Sequence, residues 1–280
     1  MTALSAGDRL ARRGGTHVVG DALAMARRNV LRLLRAPDQV MFTLISPIMF
    51  TLLFRYVFGG AIGGLHGLDY VTYLIPGIAV QTAIFSAGTT GFALADDIKK
   101  GFINRLRSLP MARSAVLTGR VTADSLNNLI QIVILVLVGV AVGFRPQSIP
   151  GLILGILLLL LFALSASFVF ALVGMSVSSV EAVNAATFPV VFPLTFASSA
   201  FVPTQTMPSW LRGFADHQPV SVIINAVRSL VLGDISPSVR EALFAGQSTV
   251  SLVLQSVAWT AGLILVFGAL SVRKYRRLGS

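Results

Sequence analysis

Long apolar runs separated by short polar breaks dominate this chain. Six of them reach the roughly 20 mostly apolar residues that cross a bilayer as a helix. They lie at about 38–59, 71–95, 126–144, 149–177, 182–203 and 250–272. The fourth, IPGLILGILLLLLFALSASFVFALVGMSV, carries no charge. It exceeds a minimal span, which predicts a tilt. The second and fifth are interrupted by Gly, Thr, Ser and Pro, as in YLIPGIAVQTAIFSAGTTGFALA and ATFPVVFPLTFASSAFVP. Residues 204–249 are too polar for another full span. Their apolar piece, VSVIINAVRSLVLG, has the length of a re-entrant or interfacial segment. The pattern predicts an all-α polytopic membrane protein with six transmembrane helices and a re-entrant or interfacial segment between the fifth and sixth.

Two shorter stretches have the helical period instead. In GDALAMARRNVLRLLRA (residues 20–36), Leu23, Val30, Leu31 and Leu34 share one face, and Arg28, Arg32 and Arg35 share the other. Such a helix lies in the headgroup layer of an anionic leaflet. In residues 96–110, Ile98, Phe102, Leu106 and Leu109 cluster opposite Lys100, Asn104 and Arg107. Pro110 stops this helix. The expected organisation is a cytoplasmic N-terminus over 1–37 and a six-span domain over 38–275, with a helix at 96–110 and the re-entrant region at 204–249.

Composition supports the membrane reading. Only 12% of residues are charged and 55% are hydrophobic, where soluble domains average about 25% charged. Mean hydropathy is +0.81. The formal net charge of +11 matters through its placement rather than its sum. Seventeen of the 22 lysines and arginines precede the first span, lie between spans two and three, or follow the sixth. With six spans these share one side, which predicts cytoplasmic N- and C-termini. The first apolar run starts too late for a cleavable signal.

Several chemistries are excluded. There is no cysteine, so no disulfide or thiolate site, and His17, His66 and His217 have no ligand spacing. No cofactor is implied, and no nucleic-acid partner. A P-loop needs Gly-Lys-Ser/Thr, and none of Lys99, Lys100 and Lys274 follows a glycine. The chain is therefore expected not to be an enzyme. No Ser-His-Asp set or carboxylate pair stands out. No charge lies at the centre of a span, which argues against an ion-coupled carrier. Polar and small residues of spans two and five, Gln81, Ser86, Thr89, Thr90, Asn184, Thr187, Thr195 and Ser198, are candidates to line a pathway. Gly139/Gly143 and Gly151/Gly155 have GxxxG spacing, a packing signal.

Two motifs carry a resemblance. The first is D-I-K-K-G-F-I-N-R-L-R-S-L-P-M-A-R, holding Asp97, Gly101, Arg105, Leu106, Pro110 and Arg113. The second runs from Val202-Pro203 through Met207-Pro208, Trp210-Leu211 and Gln218-Pro219 to Arg228 and Gly233. With the six-span layout, residues 20–275 resemble the permease subunit of type 2 ABC transporters, in particular the daunorubicin-resistance-like drug and lipid exporters. The family usually has an acidic residue just before the Arg-Leu pair, where this chain has Asn104.

The resemblance implies a permease without its own ATPase, paired with a second permease copy as a homodimer or heterodimer. Two soluble ABC ATPase subunits would join it. It makes 96–110 the coupling helix, with Asp97, Ile98, Gly101, Phe102, Arg105, Leu106, Leu109, Pro110 and Arg113 at the ATPase. It places Pro203, Pro208, Trp210, Gln218, Pro219, Arg228 and Gly233 in an outer re-entrant helical hairpin that caps the exit path. The substrate would be a hydrophobic drug or lipid, and the site the cytoplasmic membrane of a prokaryote. The alternative is an ATP-independent secondary carrier or channel for apolar solutes.

Overall fold

A computed structural model describes residues 37–59, 68–100 and 113–277. The amphipathic stretch at 20–36 and most of the coupling element, 101–112, lie outside them. The described residues form helices without a strand. These are α1 (Pro37–Leu53, continued by a π turn at Phe54–Phe58), α2 (Tyr70–Lys99), α3 (Arg113–Ala141), α4 (Ile149–Gly174) and α5 (Val180–Phe196). A 3-10 turn at Thr204–Thr206 leads to α6 (Ser209–His217), α7 (Pro219–Leu232) and α8 (Pro237–Phe244). The last helix is α9 (Thr249–Leu263), which passes through a π turn at Ile264–Gly268 into α10 (Ala269–Arg277).

Among the described residues, four stretches are long and apolar enough to cross a membrane: Tyr70–Lys99, Asp124–Ala141, Ile149–Gly174 and one within Pro237–Tyr275. Leu44–Val57, Val180–Phe196 and Pro219–Leu232 are shorter apolar helices.

Helix α2 is the axis of the bundle. It packs on α1, α3, α4, α5 and α7, and 94% of its apolar window is buried inside the chain. It meets α4 backbone to backbone. A Cβ at Gly174 would overlap the backbone of Gly91, and one at Gly91 would press on the Phe170 carbonyl. At the other end of α4, a Cβ at Gly151 would overlap the Leu230 carbonyl of α7, and Gly155 faces Val227. The Gly151/Gly155 pair is thus a packing surface, as its spacing suggests. Among the described residues, serine hydroxyls cap four helix starts, with Ser236 accepting from Val239 at 3.4 Å before α8. Ser148 accepts from the Gly151 N–H at 3.0 Å, Ser179 from Ala182 at 3.2 Å and Ser248 from Ser251 at 3.2 Å.

Several boundaries differ from the sequence expectation, and two of them bear on function. Helix α2 continues to Lys99, so Asp96–Lys99 are its last turn and not the start of a separate helix. Lys100 extends this end by donating to Asp96 at 2.7 Å, and that hydrogen bond holds its pKa above the ordinary lysine value. Helix α5 stops at Phe196, seven residues before the expected end of its span. Pro189 and Pro193 weaken its ladder, and the chain turns at Ala197.

Candidate functional site

The turn after α5 is fastened to α2 and α7 by a buried polar clasp. It begins one turn before Pro76 of α2, which has no N–H to give the Thr72 carbonyl. The Tyr73 carbonyl accepts from Arg228 of α7, from Nε at 3.1 Å and from Nη2 at 3.0 Å. Arg228 Nη2 also donates to the Ser199 carbonyl at 2.8 Å, and Nη1 to Asn225 Oδ1 at 2.9 Å. The Tyr73 hydroxyl donates to the same Ser199 carbonyl at 2.9 Å, and the Tyr70 hydroxyl to the Phe201 carbonyl at 3.0 Å. Gly77 lets the turn approach, because a Cβ there would overlap the Ala200 backbone.

Arg228 is 1% exposed, and its guanidinium lies 3.6 Å from the centre of the Tyr73 ring. Its hydrogen-bond partners are carbonyl and amide oxygens. Burying a charge without a counter-ion is costly unless its donors are met. Here the planar fork meets three oxygens and the face of an aromatic ring. The expected effect of Tyr73→Phe is modest. It removes the hydroxyl bond and keeps the ring, for about 1 kcal/mol of lost stability, read from thermal unfolding.

The other late-motif residues shape this region. Gln218 Nε2 donates to the Leu194 and Ala197 carbonyls at 2.8 and 3.2 Å, tying α7 to the end of α5. Pro219 opens α7, where a missing N–H costs nothing. Gly233 closes it at φ +62°, a conformation that favours glycine. The Pro203 carbonyl accepts from the Thr206 hydroxyl at 2.7 Å, and Pro208 precedes α6. Trp210 is 76% exposed on α6 and shares a face with Phe214.

Helix α5 stands apart from the rest. Most of its residues are uncovered, and only Val183 and Thr195 are buried. Phe188, Phe192 and Phe196 stack along it with ring centres 5.2 and 4.3 Å apart, and Phe196 continues to Phe201 at 5.2 Å. The structure divides the candidate pathway residues. Thr89 and Asn184 are exposed and Thr187 is half-buried, whereas Gln81, Ser86, Thr90, Thr195 and Ser198 are buried inside the chain.

Two of those buried groups, Ser86 and Thr90, face α3. Thr90 donates to Asp124 at 2.6 Å, and Gln131 reaches Ser86 at 3.4 Å. Asn128, wholly buried, has no partner for either amide atom, nor does Gln81 Nε2. Each such orphan costs about 1–3 kcal/mol.

At the opposite end of α2, Ile98 packs against the buried cluster of Leu94, Ala171 and Met175. Asp97 is half-buried in the last turn, and Arg113 begins α3. Gly101, Phe102, Arg105, Leu106, Leu109 and Pro110 lie outside the described residues. Among the described residues no cluster of His, Asp and Glu has the makings of a metal site.

The model of the family described as ABC-2 type transporter matches residues 21–232, a range that contains the clasp. The chain belongs to the ABC-2 type transporter family. Consistent with that, it is 34% identical over 276 residues to "Daunorubicin resistance ABC transporter permease protein DrrB1" of Streptomyces coeruleorubidus, covering 98% of this chain and 92% of that one. It is 26% identical to "Probable doxorubicin resistance ABC transporter permease protein DrrC" of Mycobacterium tuberculosis, over 92% of this chain and 89% of that one. It is 22% identical to "Inner membrane transport permease YadH" of Escherichia coli, over 68% and 76%. As an ABC-2 chain with long apolar helices, it is an integral membrane protein and a permease subunit.

Sequence reasoning placed Arg228 in the ABC-2 outer region but missed its burial. One arginine inside a 14-residue apolar stretch was the available signal. Tyr70, Tyr73 and Ser199 gave none, since they act through contacts between residues more than 100 positions apart. Asn128 and Gln131 were passed over as part of an apolar span.

Proposed function

We propose that this chain is the membrane-spanning half of an ATP-driven exporter that moves hydrophobic or amphipathic drugs or lipids out across the cytoplasmic membrane. The observation that carries the reading is the end-to-end likeness to a daunorubicin-resistance permease. The geometry adds support through α5, an apolar helix that its own chain leaves uncovered and that carries a phenylalanine ladder. A second permease copy is the natural cover for it, and a pathway along it suits apolar or aromatic compounds. Thr89, Asn184 and Thr187 are the candidate lining residues within reach of such a path.

In this reading α1, α2, α3, α4, α5 and α9 are the six spans, with both termini in the cytosol. Helices α6 and α7 form the outer re-entrant cap, held by Arg228. Irregular backbone at membrane depth needs protein cover, which the clasp provides. Residues 96–110 couple to two copies of a separate ATPase, with Phe102 and Leu106 presenting the apolar stripe to a groove.

The test is co-expression with the candidate ATPase and purification through a tag on this chain. A stable complex whose ATP hydrolysis responds to apolar drugs or lipids is expected. Phe102→Asp with Leu106→Asp releases the ATPase while the permease stays folded. Retention of the ATPase by that double variant removes the coupling role. A well-folded wild-type chain that never holds an ATPase shifts the reading to an ATP-independent carrier.

A further inference from the structure

The seam between α2 and α3 contains a polar position that the fold leaves unfilled. On α3, Asp124, Asn128 and Gln131 share one face, spaced four and three residues apart. That face meets Ser86 and Thr90, one turn apart on α2. Thr90 donates to Asp124 at 2.6 Å. Stepping one turn along each antiparallel helix from this pair brings Ser86 opposite Asn128. The Ser86 hydroxyl instead receives Gln131, at 3.4 Å, a long hydrogen bond. Asn128 is left fully buried with both its amide oxygen and its amide nitrogen unpartnered.

Ser86 thus has two suitors on α3, three residues apart, and makes only the weaker contact. Residues three apart, at about 100° per residue, point about 60° apart around the helix axis, and that is the turn that would exchange them. The two helices differ in how freely such a turn is made. The apolar window of α2 is 94% buried within the chain, but that of α3 only 28%. Helix α3 packs on α1, α2 and α4 but is far less enclosed than α2, so it turns with fewer contacts to break.

We propose that this seam is a two-position joint, in which Ser86 pairs with Gln131 in the conformation described and with Asn128 after α3 turns. A buried amide unsatisfied in one state is satisfied in the other, and small helix rotations of this kind separate the states of many switching proteins. Asn128 is then a positioning residue for the transport cycle, an inference that rests on the permease reading above.

The test uses the full chain with its ATPase in membrane vesicles. Asn128→Leu replaces an unpaired amide by an apolar group of similar size. It is expected to raise the melting temperature without nucleotide. It is also expected to lower the kcat of ATP hydrolysis by about fivefold or more, the size of a typical coupling between sites, with the KM for ATP unchanged. Asn128→Thr, which keeps a hydroxyl, restores most of the rate. A lower melting temperature for Asn128→Leu overturns the proposal, since the amide then has a partner in the resting state. A higher one with unchanged kcat also overturns it.

A second arm needs no ATPase. The chain has no cysteine of its own, so Ser86→Cys with Asn128→Cys reports one disulfide without background. Formation of that bond in membranes is expected. Failure to form it under any condition overturns the joint. A disulfide in a chain that never binds the ATPase leaves the joint standing and removes the permease reading.

Discussion

Arg228→Ala lowers the stability of the folded chain by about 3 kcal/mol, from the cavity it leaves and the hydrogen bonds it deletes. For a chain of this size that is a fall of roughly 6–12 °C in melting temperature. The loss arises because the Tyr73 and Ser199 carbonyls and Asn225 Oδ1 lose their shared donor together. Arg228→Lys does not restore it, as a single ammonium cannot span acceptors on α2, α7 and the turn after α5. Arg228→Met separates the contributions. It refills the space and takes the side-chain donors from the Tyr73 carbonyl, while the Ser199 carbonyl keeps the Tyr73 hydroxyl and Asn225 Oδ1 the Ser199 hydroxyl, so its melting temperature falls between wild type and alanine. Tryptophan fluorescence in detergent, from Trp210 and Trp259, follows the unfolding.

Gly77→Ala has an effect of comparable size from one added methyl group. The new Cβ meets Ala200 backbone atoms, among them the Cα at 2.7 Å, which cannot swing aside as a side chain would. The turn must move away from α2. That strains the Tyr70, Tyr73 and Arg228 bonds at once, so a loss of about 3 kcal/mol follows from overpacking at a site with no slack. Gly213→Ala is the control. Nothing lies within 4 Å of a Cβ there, and the change is neutral to within about 0.5 kcal/mol. Equal melting temperatures for the two variants contradict the close approach at Gly77.

The helices were legible in the sequence because membrane-spanning runs announce themselves by length. The start of α4 at Ile149 and of α5 near Val180 lie within two residues of expectation. The end of α5 was less legible, because a polar turn wrapped by Tyr70, Tyr73 and Arg228 reads locally as more apolar span. The late motif singled out Gln218, Pro219, Arg228 and Gly233, which the fold gathers around α7. What it did not convey was that their partners are mostly backbone carbonyls, which have no sequence identity. The polar residues of span two were read as one set. Helical phase splits them: Thr89 looks outward while Ser86 and Thr90 face α3. Asn128 escaped notice because a lone amide in an apolar helix is remarkable only once its surroundings are known.

The prolines of α5 have a consequence beyond ending the helix early. Pro189 and Pro193 cannot donate to the carbonyls of Ala185 and Pro189, four residues back. The Thr187 and Thr195 hydroxyls are already spent, on Val183 and on Val191 and Phe192. Two carbonyls therefore lose their usual helical donors on a helix that the chain leaves largely exposed, beside its phenylalanine rings. Acyl chains have no donors to give them. The outer surface of α5 is thus chemically two-toned, greasy along its rings and thirsty at its kinks. A neighbour that brings N–H or O–H groups, or a film of water, fits it better than a wall of lipid.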